Sequence, residues 1–437
     1  MLAAEEVPLI DEILKTRLAE VRRTLERSSL ARLRPGESEP EVFDPQRTWY
    51  TVAISLSSLE RTVFDVVRNS WEFLESQFKQ ESESLGYRIE GLQTRYEHLA
   101  DINAEQQRAA LVALWEDYAR LAEASESLFG EIVELMGGLA LRDRSVDPWL
   151  FVIADKLVEW YAQRTSDSWE AVTVPSVRGA VARTLVRIVG LRFPEWSVWA
   201  LPLTAYEFAH QSFRFGHKGV KLKAQIDNDL PGVWEGKQVS GQEVLLADAF
   251  ATFTTGPAYL LATVGLRLSP QETARALVIF RVLEKLDKGA TFRNDFLEEF
   301  RARWRSSPVS GSGLAPDEVQ KLEDFADAAL KALKMSYLPA TEYSVEQDWS
   351  RAKEIHRHWA ENGKIPGKPL EIRNIQRLKL IDVLNAAWYC RFKDVADTRR
   401  LEVAVRMYCD QILAPPPQAG ASFLQQPAPP TISGARL

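Results

Sequence analysis

Apolar positions in this chain recur in steps of three and four over most of its length. Val52, Leu56, Leu59, Val63, Val67, Trp71, Leu74 and Phe78 hold that spacing, and Tyr87, Ile89, Leu92, Tyr96 and Leu99 resume it after Gly86. Such spacing marks one face of a helix. A third run opens at Asn103, with Gln106 three residues on, and carries Leu111, Leu114, Trp115, Tyr118, Leu121, Leu128, Ile132 and Leu135. Gly137 and Gly138 close it, as glycine commonly does at a helix end. With the amphipathic stretch at residues 5–28, these runs predict an up-and-down helical bundle over residues 1–140.

The same period continues beyond the bundle. Asp147-Pro148 predicts a helix start, with an N-cap and proline at the first position, and the face Trp149, Ile153, Leu157 and Tyr161 follows. AVTVPS is the one short run that suits a strand, and a helix is expected near Val177 to Val189. Residues 218–239 look irregular and read as a long loop. Ser240 with Glu243, and Ser269 with Glu272, have capping-box spacing, and Gly256-Pro257 ends the first of the two helices they open. Asn294 to Arg305 reads as a further helix, and SSPVSGSGLAP at 306–316 as an internal linker. Helices are expected again at 317–334, 345–361 and 371–411, and a disordered tail rich in Pro, Ala and Gln over 414–437. The fold class expected is all-α: an N-terminal bundle (1–140), a helical core (147–305), a C-terminal helical region (317–413) and the tail.

One stretch breaks the rule that an apolar helix carries no charge on its buried side. In WALPLTAYEFAHQSFRFGHKG, residues 199–219, Leu201, Leu203, Phe208, Ala209, Phe213 and Phe215 point in most directions, which predicts burial. Tyr206, Glu207, His210, Arg214 and His217 nevertheless share one stripe. Ionisable groups buried in this way are costly unless paired or put to use. The plain expectation is an ion-pair network, Glu207 with Arg214 or a downstream lysine, and His210 with Asp248.

Composition narrows the function classes. The 437 residues carry a formal net charge of −7 and no long Lys/Arg run, which argues against a nucleic-acid or anionic-membrane surface. The two cysteines, Cys390 and Cys409, are too few for a disulfide framework and suit reduced, buried thiols. No signal-peptide layout and no apolar run of 18 residues occurs, so a cytoplasmic location is expected. There is no phosphate-binding glycine motif and no nucleophile elbow. His356 and His358 stand two apart on an expected helix and so face different ways.

LPLTAYEFAH resembles the HExxH helix of gluzincin-type zinc metallopeptidases. In that likeness Glu207 stands at the general base, His210 at the second histidine ligand, and Tyr206 where the first histidine belongs. LLADAFATFTTGPAY is similar to the second metal-binding helix of the same family; Asp248 matches its second-shell aspartate, and Val244 occupies the glutamate ligand position. The resemblance spans roughly residues 193–259. It implies a zincin-like helical core in which His210 is the surviving metal ligand; a bound zinc would draw on Asp248 and His217 to replace the missing ligands, with Tyr206, Arg214 and Glu243 lining the site. A single Glu-x-x-His leaves the alternative of a di-iron bundle without its second motif.

These observations lead to an expected function: a metallopeptidase-like helical protein without hydrolytic activity or bound cofactor, serving as a protein-binding component of a multi-protein system. Two alternatives stand beside it. One is an active zinc metallopeptidase in which Glu207 activates water; the other is a helical adaptor unrelated to peptidases.

Overall fold

The computed structural model describes residues 147–166, 172–176, 188–192, 197–229, 240–268, 272–306 apart from 288, 290 and 292, 314–361, 377–394 and 398–414, with scattered positions between 87 and 142. The expected bundle over 1–140, the linker 307–313 and the tail beyond Ala414 therefore lie outside the described residues, those scattered positions apart. Helix accounts for 87% of what is described and strand for 3%, so the fold is predominantly all-α. No described helix is long and apolar enough to cross a membrane.

Among the described residues from 147 onward, eleven helices follow one another. They are α1 (Pro148–Thr165), α2 (Thr204–Phe215), α3 (His217–Asp229), α4 (Ser240–Thr255), α5 (Pro257–Ala262), α6 (Thr273–Leu286), α7 (Glu298–Ser306), α8 (Pro316–Ser336), α9 (Ser350–Glu361), α10 (Leu380–Asp394) and α11 (Thr398–Leu413). A 3-10 turn, Val198–Leu203, leads into α2, and wide π-helical turns adjoin α5 (Thr263–Arg267), α7 (Arg293–Leu297) and α9 (Val345–Trp349). Helix α2 is central: α1, α3 and α4 all pack on it, and α6 and α8 lie against α4. Phe208, Phe213, Phe250 and Phe253 are fully enclosed where α2 meets α4. Helices α10 and α11 join the same core. Trp388 stacks edge-on to Trp199 at 5.4 Å and donates to the Trp199 carbonyl at 3.1 Å; the Trp199 indole donates to Glu402. One cluster of buried side chains thus runs from Leu150 to Cys409.

Three sequence expectations are corrected here. Ile188 and Val189, the end of the helix expected over 177–189, instead open strand β2 (Ile188–Arg192), parallel to β1 (Val172–Ser176) with Val172 opposite Ile188. The β-branched Val174 and Val189 are buried, together with Leu191, on a pleated, enclosed surface. The loop expected from 218 contains α3 instead. Its buried face is Gly219, Leu222 and Ile226, and a Cβ at Gly219 would lie 2.2 Å from the Ser212 carbonyl oxygen, so only glycine allows the close approach. The helix expected over 371–411 is two, α10 and α11, for its described part.

Asp147 also departs from expectation. Its side chain does not cap α1 but pairs with Arg406 of α11, and only its backbone carbonyl receives Leu150 N. Cys390 and Cys409 are buried free thiols.

Candidate functional site

Helix α2 brings Tyr206, Glu207 and His210 to its buried side, each no more than 9% exposed. A buried carboxylate needs a counter-charge, and here each finds an arginine or histidine of this chain. Glu207 Oε1 lies 2.8 Å from Arg267 Nη1, the guanidinium supplied by the π-turn after α5. Asp248 of α4 is fully buried. Arg275 of α6 grips it with both arms, Nε to Oδ2 at 2.8 Å and Nη2 to Oδ1 at 2.9 Å, and Tyr259 donates its hydroxyl to Oδ1 at 2.5 Å. Arg275 also donates to Glu272 at 2.9 Å. Burial works against the Arg275 cation, yet the Asp248 charge and hydrogen bonds hold its proton well above the usual arginine range.

The third acid is Glu243, in the first turn of α4. His210 Nδ1 is 2.9 Å from its Oε1, and Arg214 Nε reaches the same oxygen at 3.1 Å. The hydrogen bond from His210 brings the Glu243 carboxyl down to about 2; burial opposes this, and the charges of His210 and Arg214 assist it. Because a carboxylate only accepts, His210 Nδ1 carries a proton. Its Nε2 is buried and has no hydrogen-bond partner among the described residues.

Tyr206 fills the space between these pairs. Its ring meets His210 edge-on at 4.6 Å and stacks on Tyr259 at 6.5 Å, with Arg275 and Arg267 at 5.0 and 5.4 Å from its centre. Burial pushes the phenol above its ordinary range, so it stays protonated and supplies no phenolate.

The expected network is present, but its pairs differ from those expected. Glu207 takes Arg267 rather than Arg214 or a lysine, and His210 takes Glu243 rather than Asp248. Arg214 lies on the same stripe as Glu207 but pairs with Glu243. His217 leaves the stripe: the chain departs from helix at Gly216, and His217 opens α3 as an exposed residue.

Arg267, Arg275 and Tyr259 were not among the candidates from sequence. The signal was present, since three acids in apolar surroundings require cations, and Arg267 and Arg275 are isolated arginines in apolar segments. What sequence lacked was the direction each helix faces.

The residues do not fit the zinc ion that the peptidase likeness implies. Among the described residues no three of His, Cys, Asp or Glu gather as a metal-holding group. Tyr206 and Val244 stand at two ligand positions, and both Asp248 oxygens already accept from Arg275. Compared with known proteins, the chain matches no family model, no curated protein and no solved structure.

Proposed function

We propose that this chain is a non-hydrolytic, helical protein-binding component, with a peptidase-like segment used as structural core. The observation that carries the reading is charge pairing: Glu207, Glu243 and Asp248 each lie against a cation of this chain. A general base must be within reach of a water it can deprotonate. Glu207 is instead buried against Arg267. A core neutralised in this way serves to hold α2, α4, α5 and α6 in register and leaves the outer helical surfaces to contact a partner.

One observation favours the competing reading, a zinc peptidase. An imidazole whose Nδ1–H is held by a carboxylate, with Nε2 left over, is oriented as a metal-binding histidine is. Metal content and hydrolysis measured on the full chain separate the two. The protein-binding reading expects no stoichiometric zinc after purification in zinc-containing buffer and no cleavage of unfolded casein, with the wild type and Glu207→Gln alike. Zinc at one per chain that His210→Ala removes, with zinc-dependent cleavage that Glu207→Gln abolishes, would overturn it.

A further inference from the structure

A cavity of about 590 Å³ lies away from the α2–α4 network and shares no lining residue with it. It is bounded by the last turn of α1, the Pro339–Thr341 turn, the segment after α6 and the start of the Val345–Trp349 turn that leads into α9. Its volume is that of a small-molecule site.

Five charged residues line it: Arg164, Lys379, Glu342, Glu346 and Asp348. Three of them are matched within the chain. Asp348 accepts from Lys379 Nζ at 2.7 Å and from Arg351, and its other oxygen takes Ser344 N at 2.8 Å. Glu342 pairs with Lys334 at 2.8 Å. Two remain. Arg164 sits over the Trp160 ring, 4.2 Å from its centre, and donates to the Ala340 carbonyl, but forms no ion pair with a carboxylate among the described residues. Glu346 has no ion pair among the described residues. Among the described residues the cavity therefore presents one cation and one anion that form no ion pair, with Arg164 feeling only the field of Asp348.

We infer that this cavity binds a small amino-carboxylate zwitterion, its carboxylate on Arg164 and its ammonium on Glu346. The planar fork of an arginine suits a carboxylate, and the Trp160 ring 4.2 Å away supports the guanidinium. Ser344 Oγ caps the turn on this side of the cavity by accepting from Gln347 N at 3.2 Å. A ligand carrying only negative charge is disfavoured, because it would leave Glu346 beside it without a counter-charge. A neutral zwitterion adds no net charge. Leu286, Pro339 and Val345 offer apolar contact for its side chain. Burial holds the Arg164 guanidinium below its usual range, the Asp348 charge partly opposing this, and a bound carboxylate would relieve that cost.

The test is calorimetric titration of the full chain with L-norvaline, valerate and butylamine. Norvaline is expected to bind saturably, and the two single-charge probes at least tenfold more weakly. Arg164→Gln and Glu346→Gln are each expected to weaken norvaline roughly tenfold to a hundredfold, the loss of one charge-assisted contact. Glu346 is exposed in a first turn, so its variant keeps the fold even if Arg164→Gln disturbs packing on Trp160. Absence of saturable norvaline binding overturns the inference. So does equal binding of valerate, or unchanged affinity in Glu346→Gln.

Discussion

At the scale of single residues, the core of this protein depends on which cation meets which acid. Asp248 is the clearest case, fully buried and held by three donated hydrogen bonds. Asp248→Asn leaves the Arg275 guanidinium buried without its counter-charge and should cost about 3–5 kcal/mol in urea unfolding, the range for breaking a buried pair. Two carboxyls should shape the acid limb of stability in opposite directions. Glu243 has its folded-state value lowered to about 2 from 4.5. Its contribution is fully present above about 4.5 and is lost as pH falls toward 2, so Glu243→Gln should flatten that loss. Asp382 is raised to about 6 from 3.8, chiefly by burial, with Arg351 and the Lys379 N–H opposing. Between these values the folded chain holds a proton that the unfolded chain has released, so stability falls as pH rises from 3.8 to 6. Unfolding of Asp382→Asn across that interval should lack this slope.

At the scale of elements, the break between α4 and α5 sets the geometry of the site. Gly256 has φ +70°, a region costly for other residues, and a Cβ there would lie 2.7 Å from the Tyr343 ring. Gly256→Ala should destabilise by about 1–3 kcal/mol or more, since backbone strain and the clash act together. Asn385 of α10 staples the same break. Its amide nitrogen donates to the Thr255 and Ile381 carbonyls at 2.9 Å, and its oxygen accepts from Ala258 N at 2.8 Å. Asn385→Ala leaves buried backbone groups unmatched and should cost about 2–3 kcal/mol, read as a fall in the urea midpoint. Gly256-Pro257 was legible in sequence as a stop. The asparagine 127 residues away that receives the Ala258 N–H was not, because nothing in its local pattern distinguishes it from an ordinary polar position.

At the scale of the whole molecule, the C-terminal helices complete the core rather than follow it. Trp199 precedes α2, yet its indole, ring faces and carbonyl are satisfied by Glu402, Arg391 and Trp388. A chain ended after Gln376 should expose this tryptophan, lose cooperative unfolding and show red-shifted fluorescence together with rapid proteolysis. The period of three and four determines that this chain is helical, because a helix shows its buried face locally. It also determines that Tyr206, Glu207 and His210 share a side of one helix, and that such a side needs counter-charges. Only the tertiary structure decides that those counter-charges are Arg267 and Glu243. Ion pairing acts across space between helices whose rotation and separation no local spacing records. For the same reason, strand β2 and helix α3 emerge only where a neighbouring surface, the β1 edge or the Ser212 backbone, is there to receive them.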